Sequence, residues 1–269
     1  MKINNYSVYL HGMQMSLQDK LFWTKIIPRS DIDTIIDFGC ADGTLLDAID
    51  KDQRQQFNEK QIDRLWCLVG IDNNLEMLQK MEKKNSSILR AKSFEEVPSV
   101  FKEKALLNLS SVIHEVYSYC PLEIPQFWDD VLNSGFTYIT IRDMMLSRSV
   151  NRKQNYRIYS DNLDKAQFED YCKVNNHNVE YFGDLEVRHQ LDFLLKYRYI
   201  ENWDREVREC YFPIALEQLL NRIIKNGKYE IMYLKHYILP FIKETVKEDF
   251  NIDLIDNTHC QLILKKKEI

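Results

Sequence analysis

Long apolar runs are missing from this chain. No stretch approaches the roughly 20 residues that a bilayer-spanning helix needs, and the opening Met1-Lys2-Ile3-Asn4-Asn5-Tyr6 lacks the apolar segment of a secretion signal. Six cysteines occur, at 40, 67, 120, 172, 210 and 260, but never as C-x-x-C. Neither a zinc site nor a dense disulfide framework follows from that spacing, no metal is required, and reduced thiols in a cytoplasmic protein are expected. An excess of positive charge is also missing: the net charge is -5, so the molecule as a whole is no polyanion binder, although a local basic face stays open. There is no internal repeat and no low-complexity tract. Glycine is scarce, with seven in 269 residues, so the few positions that carry it are informative.

What is present is 45% hydrophobic content, enough for one sizeable core or a core with a smaller attachment. Ser16 to Ile27 reads as an amphipathic helix with Ser16 as N-cap, stopped by Pro28. Strands and helices then alternate. Strands are expected at 34–38, 65–71, 87–91, 104–111 and 136–142, with helices from Thr44, over 73–84 (Leu75, Leu78 and Met81 on one face) and over 124–132. The strands are continuous apolar runs, as strands buried on both faces are, and parallel strands need helical crossovers. The fold class is therefore α/β, a doubly wound, mostly parallel sheet with helices on both faces. Four segments follow: 1–30 N-terminal and helical, 31–143 the core, 144–207 a polar and aromatic helical insertion, and 208–269 the completion of the core. A long polar segment placed after strand five often lies over the ligand edge as a lid or platform.

Within that pattern stands Ile35-Ile36-Asp37-Phe38-Gly39-Cys40-Ala41-Asp42-Gly43-Thr44, a buried strand ending in a glycine-bearing turn that enters a helix. Leu68-Val69-Gly70-Ile71-Asp72 is a second buried strand ending in a carboxylate. A turn that lets backbone approach a ligand, beside an acid placed for ribose hydroxyls, makes a nucleoside pocket. A dinucleotide site wants G-x-G-x-x-G with pyrophosphate on the helix N-terminus. Here the middle glycine is missing, and Asp37 and Asp42 would repel a pyrophosphate. A buried acid such as Asp37 needs a partner, either turn N–H groups or a cationic ligand.

Asp37-x-Gly39-x-Ala41-x-Gly43 followed by Asp72 resembles the class I, seven-stranded S-adenosylmethionine-dependent methyltransferases over residues 34 to about 142. The 229–264 tail is compatible with that family's last two strands, the final one antiparallel. The resemblance implies S-adenosylmethionine as methyl donor. Asp37, Gly39, Cys40, Ala41 and Gly43 would line its methionine and ribose side, Asp72 would hold the ribose, and Asn73 would lie near the adenine edge. Ser93 would replace the polar residue the family often has at the end of strand three. The family's fourth strand end faces the methyl group, which puts Ser110 or Ser111 near the cofactor and His114 and Glu115 at the cleft mouth.

An imidazole can take a proton from a hydroxyl acceptor near neutral pH, and Glu115 could orient it or bind a substrate amine. His114 could equally cap a helix or touch the adenine edge. No N-P-P-Y signature follows strand four, and Cys120-Pro121 reverses the Pro-Cys order of cytosine methyltransferases. In the insertion, arginines with interleaved aromatics (Arg142, Arg152, Arg157, Arg198, Trp203, Arg205) suit an RNA acceptor, while interspersed acids such as Glu201 and Glu209 suit a solvated helix face. The acceptor is thus a small molecule or RNA. The competing readings are a methyltransferase-like binding module without activity and, less well matched, an NAD-dependent oxidoreductase.

Overall fold

The computed structural model describes residues 16–150, 156–158 and 163–268. Seven strands form one sheet: β1 Thr34–Phe38, β2 Cys67–Ile71, β3 Leu89–Ala91, β4 Ala105–Ser110, β5 Tyr138–Met144, β6 Tyr229–Tyr237 and β7 His259–Lys266. Their order is β3-β2-β1-β4-β5-β7-β6. The first five are parallel, and β7 runs antiparallel to both β5 and β6. This is the class I methyltransferase arrangement. From β1 the chain winds outward to β2 and β3, then returns to the other side of β1 as β4. The crevice between the carboxyl ends of β1 and β4 is the switch point where such sheets take ligands.

The helices among the described residues are α1 Thr44–Asn58, α2 Leu75–Lys84, α3 Ile113–Tyr119, α4 Ile124–Asn133, α5 Lys165–Val174, α6 Val187–Lys196, the short α7 Trp203–Glu206, α8 Leu216–Asn226 and α9 Pro240–Phe250. Alternate strand residues divide between two cores, as the period of two requires. On one face Ile36, Leu107, Leu109, Ile139, Ile141 and Leu262 pack under α3, α4 and α8. On the other, Ile35, Leu68, Leu106, Tyr138 and Ile263 pack under Trp23, Ile27, α1 and α2. The sheet is covered on both faces, which is why its inner strands read as unbroken apolar runs.

Three local expectations shift. Residues 16–20 are helical, but the chain then tightens into a 3₁₀ turn at Phe22–Lys25 rather than continuing to Pro28. In α2 the N-cap is Asn74, whose side chain accepts from the Glu76 and Met77 N–H groups; Leu78 and Met81 are buried, while Leu75, in the first turn, faces solvent. His114 and Glu115, expected to follow strand four at the cleft mouth, stand in α3, a helix absent from the expected elements.

The residues after β5 build a third apolar cluster. Phe168, Tyr171, Leu191, Phe193 and Leu194 pack with Val246, Phe250, Ile252 and Leu254 from α9 and the segment after it. Leu191, Leu194 and Leu195 of α6 are buried, and Tyr199, beyond the helix end, is exposed. No helix among the described residues is long and apolar enough to cross a membrane.

Candidate active site at the carboxyl ends of the strands

The turn after β1 is pinned to the end of β2. The Gly39 and Cys40 N–H groups both donate to the Ile71 carbonyl, at 2.8 and 3.0 Å. Gly39, Ala41 and Gly43 all have positive φ, at 74°, 47° and 73°. Gly43 also has a packing reason, since a Cβ there would lie 2.3 Å from Met81 Cγ on α2. Cys40 is buried beneath the turn, its thiol pushed up by burial and by Asp37 and Asp72. Ala41 is exposed and its N–H donates to Asp72 Oδ2 at 2.8 Å. The Asn74 N–H donates to Asp72 Oδ1 at 2.8 Å. Each carboxylate oxygen of Asp72 thus holds one backbone donor and retains a further lone pair. Asn73 is exposed beside it. Ser93 is partly buried just after β3, where it hydrogen-bonds Glu95.

Asp42 is not a free charge beside the turn. It accepts from the Thr44 N–H and hydroxyl and pairs with Lys84 of α2. These partners hold its carboxyl below the usual range although burial pushes it upward. Its share of the charge argument against a pyrophosphate is correspondingly reduced.

Asp37 is 5% exposed. Its partner within the chain is not a turn N–H but the Asn108 side chain, whose Nδ2 donates to Oδ1 at 2.7 Å. Asn108 lies opposite Asp37 on β4, and Thr140 lies opposite Asn108 on β5. The Thr140 hydroxyl donates to Asn108 Oδ1 at 2.8 Å, which completes a buried polar stripe across three strands. Burial raises the Asp37 pKa to about 6 despite the Asn108 hydrogen bond and the nearby Lys20. A site that leaves a carboxylate so poorly compensated is suited to a cation.

On the β4–β5 side, Asp143 closes a second network. Its Oδ2 accepts from the Val112 and Ile113 N–H groups at 3.0 and 2.7 Å, and its Oδ1 meets His114 Nδ1 at 2.8 Å. His114 is 5% exposed, with Nε2 3.7 Å from Glu209 of the chain that follows α7. Burial works against its charge, but Asp143, Glu115 and Glu209 outweigh burial and raise its pKa. Glu115 is partly exposed; burial raises its carboxyl, and Arg205 Nη2 donates to it at 2.6 Å. Arg205 also gives Nε to Glu209 at 2.6 Å, and the Tyr119 hydroxyl donates to the same Glu209 oxygen. Ser111, with φ of 56°, donates its N–H to the Arg142 carbonyl, and its hydroxyl accepts from Arg142 Nη1 at 3.0 Å.

Two of the residues proposed for RNA are engaged by acids of the chain itself. Arg198 is paired with Asp249 and Trp203 donates its ring N–H to Asp170. Arg157 is exposed, and Arg152 lies outside the described residues. Arg142, grouped with them in the sequence, is instead buried in β5.

Sequence reasoning missed Asp19, Lys20, Asn108, Asp143 and Glu209. A usable signal existed for two of them: Asn108 and Asp143 interrupt apolar strands, and a polar residue in such a run requires a buried partner.

No family model matches the sequence, and no curated protein matches it either. Solved structures do. A plantazolicin methyltransferase, BpumL, in complex with a pentazolic desmethylPZN analog and SAH, is 15% identical, with a TM-score of 0.49 over 98% of this chain and 89% of that one. An S-adenosylmethionine-dependent methyltransferase described as putative, from Listeria monocytogenes, is 13% identical, with a TM-score of 0.48 over 96% and 100%. The methyltransferase domain of bacterial CtHen1-C is 9% identical, with a TM-score of 0.48 over 94% and 100%. At these values the likeness is remote, and the class of the fold is carried by the strand order itself.

Proposed function

We propose that the protein is an S-adenosylmethionine-dependent methyltransferase acting on a small-molecule or RNA acceptor. The observation that carries this reading is the turn Gly39–Gly43 joined to Asp72 through the Ala41 N–H at the ligand edge of the sheet. The donor set fits the cofactor. Asp72 keeps a lone pair on each oxygen for two ribose hydroxyls, and Asp37 is a buried carboxylate that a sulfonium or ammonium nearby would stabilise. Bound there, S-adenosylmethionine supplies a methyl group that an acceptor lone pair takes as the carbon–sulfur bond breaks toward sulfur.

The chain's own residues then have separate duties. Against the opposing effect of burial, Asp143 raises the His114 pKa and so favours the imidazolium, which has no lone pair with which to take a proton. We assign it to positioning, tying α3 to the end of β5. Glu115, partly exposed and with a raised carboxyl pKa, is the group better placed to accept an acceptor's proton or hold its amine.

Calorimetric titration tests the reading. S-adenosylhomocysteine is expected to bind and NADH not to. Asp72→Ala is expected to weaken S-adenosylhomocysteine by roughly tenfold or more, the loss of hydrogen bonds to a charged acceptor. Binding of NADH without S-adenosylhomocysteine would replace this reading by the oxidoreductase. Incubation with methyl-labelled S-adenosylmethionine and fractionated extract, with and without ribonuclease, then separates an RNA acceptor from a small one. For His114→Gln, a turnover within a few-fold of wild type and an unshifted pH profile are expected. Lost turnover with intact cofactor binding would return His114 to the general-base role.

A further inference from the structure

Asp19, in the helical turn at residues 16–20, is held by donors from three strands. Arg142 Nε of β5 donates to its Oδ2 at 2.6 Å, the Tyr237 hydroxyl of β6 to the same oxygen at 2.6 Å, and Gln261 Nε2 of β7 to its Oδ1 at 2.9 Å. Gln261 also donates to the Asp19 carbonyl at 3.0 Å. Arg142, Tyr237 and Gln261 are all buried. Three side chains, each more than a hundred residues from Asp19 in sequence, thus fasten its carboxylate, and with it the N-terminal segment, against the sheet near the strands' carboxyl ends.

The next residue is Lys20. Among the described residues no hydrogen bond or ion pair holds its ammonium. Its charge is felt at Asp37 on β1, Asp143 on β5 and Glu115 on α3, the elements that bound the crevice. Burial and the like charge of Arg142 lower its pKa against those three carboxylates.

The proposed cofactor is a zwitterion, and its two ends make opposite demands. The crevice offers carboxylates for the ammonium and the sulfonium, but those same carboxylates repel the amino-acid carboxylate. A cation suits that end, and among the described residues the other cations already placed around the crevice are engaged. Arg142 is engaged by Asp19 and Ser111, His114 by Asp143, Lys84 by Asp42, and Arg205 by Glu115 and Glu209. Lys20 is not, and its four-carbon stem lets the ammonium move to a ligand.

Resting on the cofactor reading above, we propose that Lys20, set in place by the Asp19 latch, is the residue that receives the α-carboxylate of S-adenosylmethionine. The N-terminal segment is then part of the cofactor site and not only a cover for the sheet. Lys20 binds and orients; it takes no part in bond making.

The test compares S-adenosylmethionine with decarboxylated S-adenosylmethionine, which keeps the nucleoside, the sulfonium and the amine. Binding is measured calorimetrically for wild type, Lys20→Met, Lys20→Arg and Asp19→Asn, with thermal melts confirming that each variant is folded. Lys20→Met is expected to weaken S-adenosylmethionine by about 10- to 100-fold, the loss of one charge-assisted contact, and to leave the decarboxylated ligand within a few-fold. Lys20→Arg is expected to restore most of the affinity, and Asp19→Asn to weaken S-adenosylmethionine more than its decarboxylated form. Equal affinity of wild type and Lys20→Met for S-adenosylmethionine overturns the proposal, as does an equal loss for both ligands, which marks a structural role. A wild type that binds neither ligand overturns the cofactor reading itself, whereas binding that ignores Lys20 leaves that reading standing.

Discussion

At the scale of single residues, Asp37 sets stability against ligand binding. Its pKa stands at about 6 against an ordinary 3.8, so the fold disfavours its charged form. Between those two values the native state binds more protons than the unfolded chain, and stability therefore falls as pH rises through the interval. A shift of that size corresponds to roughly 3 kcal/mol, present below pH 4 and absent above pH 6. Asp37→Asn keeps an oxygen to accept from Asn108 and removes the charge. Urea unfolding of the variant should show a higher midpoint than wild type at pH 7, with the two converging near pH 4, while S-adenosylmethionine affinity drops. A variant no more stable than wild type at pH 7 would mean that Asp37 is already well compensated in the folded protein.

At the scale of elements, the turn after β1 and the helices beside it are fitted to one another. Gly43 is at once the left-handed residue that starts α1 and the place where Met81 of α2 leaves no room for a methyl group. Gly43→Ala combines an unfavourable φ with a steric overlap, and a loss of about 2–4 kcal/mol is expected. Because α2 begins just after Asp72, a shift of α2 should weaken ribose binding as well. Chemical denaturation and the titration used for the cofactor measure the two effects separately. The same element logic explains why α3 was not foreseen. Ser110 and Ser111 are cap-type residues, but the N-cap position falls beyond them on Val112, which makes no side-chain cap. What stabilises the start of α3 is the Asp143 carboxylate, which takes the Val112 and Ile113 N–H groups from thirty residues away in sequence.

At the scale of the whole molecule, the segment after β5 is joined to the core rather than appended to it. Phe193 is fully buried among Phe168, Tyr171 and Trp203, in a cluster that also takes Val246 and Phe250 of α9. Lys196, with no exposure, donates to Asp192 and to the Glu209 carbonyl, so the α6 end is bound to the stretch that reaches His114. Phe193→Ala is expected to destabilise the protein by about 3–5 kcal/mol and to leave one cooperative transition, seen alike by circular dichroism and tryptophan fluorescence. Two separated transitions would show that the segment folds as a unit of its own.

The sequence by itself determined the sheet. Continuous apolar strands, helical crossovers and the few glycines were enough to read a doubly wound fold and the turn that stands beside Asp72, because hydrophobic period and backbone permissiveness are local properties. Tertiary structure alone decided the partners. Asp19 lies 123 residues from Arg142 and 242 from Gln261, and His114 is 29 residues from Asp143. Nothing local marks Lys20 as a cleft residue or distinguishes Arg142 in a buried strand from Arg198 on the surface. A charge finds its counterpart through the folded backbone, so the groups that tune the site became legible only when the strands were laid side by side.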